Sequence, residues 1–269
     1  MKDSRSDSQS VDSALHGWLS RLRQARFTQL LIGLVLLLFV SPFIGTFSSE
    51  LGKTFATLMV VFLLATVLIA AALAVSDDQK HTRITLALAG TCLILTMLAQ
   101  LTGSPSLRIA QELLTIGFLI HVIRLIVRTL FRQQHVDNDT IAASLCGYIL
   151  IGVTFAVVFS LVMDIDSSAL SFAKSEPSSE LAIHFGDQHT ATAIYFSFVT
   201  LTTLGYGDIT PISMPARMLT TAEALIGQLY LVILVARLVG LHIATEMKTR
   251  QSQSNLKPDQ RRHEDSVNQ

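Results

Sequence analysis

The sequence predicts an all-α membrane protein with six transmembrane helices and one shorter re-entrant helix that leads into a glycine-containing loop. Composition is the first observation behind this prediction. Of the 269 residues, 50% are hydrophobic and 15% are charged, and the mean hydropathy is +0.51. A soluble domain carries roughly a quarter charged residues. The formal net charge is zero, and no acidic or basic tract indicates a nucleic-acid partner.

Six apolar segments are the second observation, because each has about the length that crosses a bilayer core of roughly 30 Å. Lipid offers no partner for an unpaired peptide group, so all six should be helical. Cys92 and Cys146 lie inside these segments, and we expect buried free thiols rather than a disulfide. The predicted spans are residues 27–46, 54–75, 84–101, 107–131, 141–163 and 216–244.

The charges between these spans predict their orientation, because positively charged loops mark the cytoplasmic side. The connection after the fifth span falls on the opposite side and is acidic. We therefore expect both termini in the cytoplasm. The polar ends, residues 1–26 and 247–269, should be disordered tails that are too short for a ligand-binding domain. The positive residues are Arg21, Arg23, Arg26, Lys80, Arg83, Arg124, Arg128, Arg132, Lys248, Arg250, Lys257, Arg261 and Arg262.

One apolar segment does not fit the pattern of full spans, and it is the third observation. Residues 191–202 are apolar, but about 12 residues are too few to cross a bilayer. The segment therefore indicates a re-entrant half-helix. Non-helical backbone at membrane depth is tolerated only where protein buries it or water lines it, so the loop that follows should line a pore.

The chemistry of that loop suits a dehydrated K⁺ ion. Rings of backbone carbonyls, with a threonine hydroxyl at the inner end, can replace the hydration shell of K⁺. Carbonyls that all face inward require an alternating backbone hand, and Gly205 and Gly207 supply positive φ values without steric cost. The half-helix also directs its partly negative carbonyl end at the cation. We call residues 203–207 the filter, and the predicted K⁺ ligands are Thr203, Leu204, Gly205 and Tyr206.

Side chains next to the filter are candidates for its support. Tyr206 should brace the filter against Tyr195 and Phe196 on the half-helix, and Asp208 should add a carboxylate at the outer mouth. Glu223 lies in the last span near the depth of the filter and is a functional candidate, because ionisable residues inside a membrane are costly. It either braces the filter through hydrogen bonds to the half-helix or lies as a polar group in the outer interface.

The run around the filter resembles the pore helix and signature of the tetrameric potassium channel family, which includes bacterial six-helix members with one pore loop per chain. The resemblance covers roughly residues 141–247 and implies a K⁺-selective channel. Filters of that family need four loops around one axis, so it also implies a homotetramer. Leu204 departs from the family, where valine or isoleucine is commoner. The run is Ala193-Ile194-Tyr195-Phe196-Ser197-Phe198-Val199-Thr200-Leu201-Thr202-Thr203-Leu204-Gly205-Tyr206-Gly207-Asp208-Ile209-Thr210-Pro211.

These features divide the chain into two membrane domains. Residues 27–131 should form a four-helix scaffold domain, and residues 141–246 a pore domain. Within the pore domain we expect an outer helix at 141–163, a pore helix at 191–202 and an inner helix at 216–244.

The inner helix carries two candidates for gating. Gly227 follows Gly205 by 22 residues, and the resemblance implies a hinge at that distance. The alternative is a small residue at a tight helix crossing. Arg237 lies nearer the cytoplasm, where it either anchors the helix at the inner headgroups or makes a gating contact. The residues spaced to face the pore cavity are Gln228, Leu231, Val232, Val235 and Val239.

The arginines of the fourth span do not have the spacing of a voltage sensor. Sensor helices of the family carry arginine at every third position through the membrane, but residues 109–120 carry no positive charge. Arg108 is expected to pair with Glu112 one turn later, and the first three spans contain no Asp or Glu. We therefore expect a shallow voltage dependence. The arginines that cluster at the inner end are Arg124, Arg128 and Arg132.

Three other functions remain as alternatives. A weakly selective cation channel is disfavoured by Tyr206, which less selective relatives often alter. A non-conducting membrane subunit would not need an intact filter. An intramembrane enzyme would need a nucleophilic serine and a histidine in the membrane, and no serine has that setting, so we expect no enzymatic activity. No glycine-rich dinucleotide fingerprint predicts a soluble ligand domain, and the expected location is the inner membrane of a bacterium.

Overall fold

The computed structural model describes residues 26–44, 79–132, 138–172 and 188–267. This part of the chain is almost entirely helical. Its elements, in chain order, are α1 Arg26–Ile44, α2 Gln79–Thr102, α3 Pro105–Arg132, α4 Asn138–Ile165, β1 Leu170–Phe172, α5 Gln188–Leu201, β2 Ile209–Pro211 and α6 Met214–Val267.

Three helices in the described segments are long and apolar enough to cross a membrane, namely Pro105–Arg132, Asp139–Ile165 and Met214–Leu241. They coincide with the fourth, fifth and sixth predicted spans. The first and third predicted spans are also helical, but their apolar stretches are shorter, Phe27–Leu36 and Arg83–Ala99. The second predicted span, residues 54–75, and the N-terminal tail through residue 25 lie outside the described residues.

Helices α2 and α3 meet at a tight turn whose sequence explains both helix ends. Gly103 has φ of 60° and its N–H donates to the Ala99 carbonyl oxygen over 3.0 Å. Glycine in this conformation commonly ends a helix. Pro105 begins α3, where proline fits because the first helical N–H has no partner inside the helix. Two consecutive helices are thereby joined as antiparallel neighbours.

Helix α4 lies at the centre of the molecule, because it packs against α1, α3, α5 and α6. One apolar core joins α4 to the first three helices and includes Leu30, Phe118 and Ile126. A second core joins the outer end of α4 to β1, α5 and the start of α6. Cys92 and Cys146 are buried free thiols, as predicted. The scaffold helices and the pore-domain helices thus share one central element.

The two short strands correct the prediction of a purely helical chain. β1 and β2 pair in an antiparallel register, with Leu170 opposite Pro211 and Phe172 opposite Ile209. The pairing is extended by the Ile212 N–H, which donates to the Ala169 carbonyl oxygen over 2.8 Å. Strands of three residues that lie far apart in the sequence carry almost no local signal, so the pattern did not predict them. The sheet ties the segment after α4 to the segment after the filter.

The last helix runs beyond the predicted end of the inner helix, and it corrects the predicted disorder for residues 247–267, because α6 continues to Val267. Adding residues to an existing helix requires no new nucleation. Residues 241–267 contain no glycine and many Lys, Arg, Gln and Glu, which favour helix. Pro258 removes one internal hydrogen bond but does not end the helix.

Candidate functional site

The filter begins where the pore helix α5 ends, at Leu201. Three N–H groups turn back onto the last turn of this helix. The Thr203 N–H donates to the Thr200 carbonyl oxygen over 2.9 Å, and the N–H groups of Leu204 and Gly205 donate to the Val199 carbonyl oxygen over 2.9 and 3.3 Å. These bonds cap the carbonyl end of the half-helix and fix where the filter starts.

Left-handed backbone conformations occur at every second residue of the filter. Gly205 has φ of 56° and Gly207 has φ of 79°, which confirms the positive values predicted for both glycines. Thr203 has φ of 57°, which the sequence did not predict because a β-branched residue rarely adopts this conformation. A left-handed non-glycine residue costs of order 1–3 kcal/mol and such strain concentrates at functional sites. Every second residue is therefore left-handed, as inward-facing carbonyls require.

The outer end of the filter is tied to the pore helix through Asp208. The Tyr195 hydroxyl donates to Asp208 Oδ2 over 2.7 Å, and the Ile209 N–H donates to Asp208 Oδ1 over 3.0 Å. Both oxygens of this carboxylate thus accept hydrogen bonds. Tyr195 contacts the residue that follows the filter, whereas the sequence had assigned it to Tyr206.

Phe196 lies elsewhere and corrects the prediction that it braces Tyr206. It is 4% exposed and its ring meets the Phe159 ring edge-on, with the centroids 4.8 Å apart. Consecutive helical residues differ in direction by about 100°, so Tyr195 and Phe196 cannot both face the filter. Phe196 instead fixes the pore helix against the outer helix α4, while the side chain of Tyr206 is 66% exposed.

A buried polar cluster lies behind the pore helix and contains Glu223. The Ser197 Oγ lies 2.7 Å from the Gly152 carbonyl oxygen and 2.5 Å from Glu223 Oε1. Ser197 and Glu223 are both 0% exposed. Of the two positions considered for Glu223, the structure shows the contact with the half-helix. Three helices meet at this cluster: the outer, pore and inner helices.

Gly227 lies where the inner helix crosses the end of the pore helix. A Cβ at this position would lie 2.6 Å from Leu201 Cδ1 and 3.2 Å from the Leu201 carbonyl oxygen. The same carbonyl accepts a hydrogen bond from the Tyr148 hydroxyl over 3.2 Å. The structure therefore shows the tight helix crossing at Gly227, and the hinge stays a prediction.

Two further close contacts of the outer helix were not predicted from the sequence. A Cβ on Gly152 would lie 2.9 Å from Phe198, and a Cβ on Gly147 would lie 2.2 Å from the Tyr230 hydroxyl oxygen. That hydroxyl donates to the Ser144 carbonyl oxygen over 2.8 Å. The available signal was the pair of glycines five residues apart in the predicted outer helix, since small residues let transmembrane helices approach closely.

Arg237 contacts the scaffold near the end of the membrane-length part of α6, Met214–Leu241. Its guanidinium carbon lies 4.9 Å from the ring centroid of Phe131, which is the second-last residue of α3. A cation over an aromatic face contributes about 0.5–1 kcal/mol at an exposed site. The inner helix is therefore linked to the fourth predicted span through a side-chain contact within one chain.

The remaining charges of α3 have different surroundings at its two ends. The Arg108 guanidinium donates to both oxygens of Asp164, over 2.7 and 2.5 Å, which ties α3 to the outer helix. Glu112 accepts a hydrogen bond from Ser160 over 2.8 Å. The guanidinium groups at the inner end are exposed and form no ion pair within the described segments; they belong to Arg124, Arg128 and Arg132.

Comparison with known proteins identifies a channel domain in the chain. A family model described as an ion channel matches residues 169–242, from the residue before β1 through the pore helix, the filter and the whole membrane-length part of α6. Neither a curated protein nor a solved structure matches the chain. The match and the apolar helices together indicate a membrane-embedded ion channel.

Proposed function

We propose that the chain is one subunit of a potassium-selective channel that conducts K⁺ passively through a homotetrameric pore. The observation that carries this proposal is the alternating backbone of the filter, with positive φ at Thr203, Gly205 and Gly207 directly after a half-helix. The K⁺ ligands are the carbonyl oxygens of residues 203–206 and the Thr203 hydroxyl. The Thr203 hydroxyl donates to the Thr202 carbonyl oxygen over 2.7 Å, so the lone pairs of the hydroxyl oxygen remain available to a cation.

Four chains around one axis complete the filter. Residues 202–208 are all exposed in the single chain, although their backbone is held in a strained conformation. Carbonyls from one loop surround only one side of an ion, and a cation that has lost its water needs oxygens on all sides. The apolar residues exposed along the inner helix, such as Leu225 at 59% and Leu229 at 59%, support burial between subunits.

Two electrostatic features favour a cation in this pore. The carbonyl end of a helix carries about half a negative charge, and the pore helix ends at Leu201, directly before the filter. Four Asp208 carboxylates, one from each subunit, lie at the outer mouth and raise the local K⁺ concentration. Selection of K⁺ then occurs inside the filter, where main-chain oxygens replace water.

The gate lies in the inner helix on the cytoplasmic side of Gly227. Apolar side chains in this part of the helix close the pore as a hydrophobic constriction. Gly227 serves as the bend, and Arg237 is part of the gating contact with the scaffold. The channel resides in the cell membrane of a bacterium with both termini in the cytoplasm, and the positive ends of α2 and α3 set that orientation.

Ion flux measured with purified protein in liposomes tests this function. We expect K⁺ uptake driven by a K⁺ gradient and little uptake of Na⁺ under the same gradient. Equal uptake of K⁺ and Na⁺ would indicate the weakly selective cation channel instead. Absence of flux for both ions, from protein that is tetrameric in detergent, would indicate a non-conducting subunit and would overturn the proposal.

A further inference from the structure

The Ser197 hydroxyl lies between two oxygen atoms, and this arrangement limits where hydrogen atoms can be. The Gly152 carbonyl oxygen is 2.7 Å from Ser197 Oγ on one side, and Glu223 Oε1 is 2.5 Å away on the other. A serine hydroxyl carries one hydrogen, and a carbonyl oxygen can only accept. Two close oxygen–oxygen contacts need two hydrogens, so one of the partners must supply the second.

Only Glu223 can supply it. If Ser197 donates to Gly152, the hydrogen in the contact with Glu223 must come from the carboxyl group, which is then a neutral acid. If Glu223 were ionised, it could only accept, and Ser197 would donate to it. The Ser197 oxygen would then lie 2.7 Å from the Gly152 carbonyl oxygen with no hydrogen between two partly negative atoms.

The surroundings of Glu223 also favour the neutral form. Its second oxygen, Oε2, is buried without a hydrogen-bond partner, and Glu223 forms no ion pair within the described residues. Burial of an ionised carboxylate without a compensating cation is strongly unfavourable. A protonated carboxyl group loses far less on leaving water.

Four ionisable side chains on the three helices around Glu223 form hydrogen bonds with other partners. The Tyr148 hydroxyl on the outer helix donates to the Leu201 carbonyl oxygen. Tyr195 on the pore helix bonds to Asp208. On the inner helix, Arg217 donates to the Pro211 carbonyl oxygen and Tyr230 donates to Ser144. None of these groups offers a positive charge to Glu223.

We infer that Glu223 is a neutral carboxylic acid whose hydrogen bond to Ser197 joins the inner, pore and outer helices, and that its ionisation at alkaline pH lowers K⁺ conduction. This inference rests on the proposed function. Glu223 acts as a positioning residue, because it touches the pore helix and not the conducted ion. Loss of its proton turns the Ser197 hydrogen away from Gly152, so the pore helix loses one of its hydrogen bonds to the outer helix and the filter is held less firmly.

The pH profile of K⁺ flux through reconstituted protein tests the effect on conduction. Wild-type flux should fall at least tenfold between neutral and alkaline pH and recover when the pH is returned. Glu223→Gln should conduct without this pH step, because an amide can donate to Ser197 at every pH. Glu112→Gln is the matched control, since Glu112 is also buried and accepts a hydrogen bond from a serine. This variant should lose K⁺ flux at alkaline pH as the wild type does. An unchanged step in Glu223→Gln would overturn the inference.

Infrared difference spectroscopy tests protonation without any need for conduction. The Glu112→Gln protein should show the carbonyl band of a protonated carboxylic acid at neutral pH that disappears reversibly at alkaline pH. The Glu112→Gln/Glu223→Gln protein should lack it. If the band is absent while wild-type protein conducts K⁺, the inference fails and the proposed function stands. If the band is present while no pH supports K⁺ flux, the proposed function fails and the protonation of Glu223 stands.

Discussion

The two halves of the inner helix differ in how deeply they are buried within the chain. In the half beside the filter, Ala216, Glu223 and Gly227 are buried against the outer and pore helices. From residue 228 to residue 241, no residue of this helix is buried. Its contacts in that stretch include the hydrogen bond of Tyr230 to Ser144, the stacking of Tyr230 on Tyr148 and the position of Arg237 over the ring of Phe131. One half is fixed by buried contacts within the chain, whereas the other half has no buried residue.

This difference matches the two tasks of a channel, which are ion selection and gating. A filter must keep its oxygens at fixed distances from an ion, and the contacts around Ser197, Leu201 and Asp208 supply that rigidity within one subunit. A gate must have two arrangements of similar free energy, and a helix with few buried contacts can adopt both. The predictions below compare the filter half with residues 228–241, which we call the cytoplasmic half because the proposed orientation directs it towards the cytoplasm.

Replacement of Gly205 should have the largest effect. In Gly205→Ala, a Cβ is forced onto a residue with φ of 56°, which costs about 1–2 kcal/mol per chain and shifts a carbonyl that we propose as a K⁺ ligand. We expect no K⁺ flux above background in liposomes. Gly117→Ala is the control, because it lies within α3 and a Cβ there would meet no atom within 4 Å. Undiminished K⁺-selective flux in Gly205→Ala would contradict the filter assignment.

Replacement of Gly227 compares the two halves of the inner helix directly. The new Cβ in Gly227→Ala would lie 2.6 Å from Leu201 Cδ1 and push against the end of the pore helix, and such overpacking costs about 1–3 kcal/mol. The gain of about 1 kcal/mol in helix propensity offsets part of this. We expect a lower Tm and a several-fold loss of K⁺ flux.

Gly240→Ala makes the same chemical change in the cytoplasmic half, where a Cβ would meet no atom within 4 Å. Only the gain in helix propensity remains there, so the Tm should stay the same or rise slightly. Thermal unfolding followed by circular dichroism measures both variants. An equal decrease in Tm for the two variants would show that both halves of the inner helix are packed equally tightly, and it would contradict the difference described above.

Tyr195→Phe should have a moderate effect that is confined to the outer end of the filter. It removes the hydrogen bond to Asp208, and such a bond contributes about 0.5–1.5 kcal/mol. We expect a several-fold lower ratio of K⁺ to Na⁺ flux. Tyr230→Phe removes a hydroxyl that bonds to the outer helix, so it should lower the Tm and leave the flux ratio unchanged. A normal ratio in Tyr195→Phe would exclude Asp208 anchoring as a condition for selectivity.

The sequence predicted the parts of this fold that depend on neighbouring residues. The length of the apolar segments predicted the helices. The requirement for inward-facing carbonyls predicted the positive φ values of Gly205 and Gly207. Residue type alone did not predict the left-handed Thr203, because that conformation is unfavourable for threonine and is imposed by the bonds that its neighbours make to Val199. Local pattern therefore predicts a favourable conformation but not a strained one.

Contacts between distant segments were the other part that the sequence did not predict. Glu223 was a candidate because a carboxyl group inside an apolar helix needs a partner, but its partner Ser197 lies 26 residues earlier. Phe196 was assigned to the wrong side of the pore helix because adjacency in sequence was taken for a shared face. Rotation of about 100° per residue places it against Phe159 instead.

Arg237→Gln should have a small effect on the cytoplasmic half alone. The variant loses the contact with Phe131, which contributes about 0.5–1 kcal/mol, so the equilibrium between open and closed channels should change about two- to five-fold per subunit. The ratio of K⁺ to Na⁺ permeability should stay the same. Phe131→Leu should reproduce the change, and the double variant should add little to it. Fully additive effects of the two variants would show that this contact does not couple the scaffold to the inner helix.

Neutralising the inner-end arginines of α3 should have the smallest effect on gating. A charge that crosses the membrane field contributes about 2.3 kcal/mol per 100 mV. Arg124 and Arg128 are exposed towards the end of α3, and in the proposed orientation this end lies at the cytoplasmic surface, where little of the field acts on them. In Arg124→Gln/Arg128→Gln, the slope of open probability against voltage in planar bilayers should match that of the wild type, and both should be shallow. Arg108 lies at the other end of α3 and is held by Asp164, so it is not free to move through the field either. A steep wild-type curve that flattens in the double variant would show that α3 senses voltage, and the cytoplasmic half of the inner helix would then respond to it through Phe131.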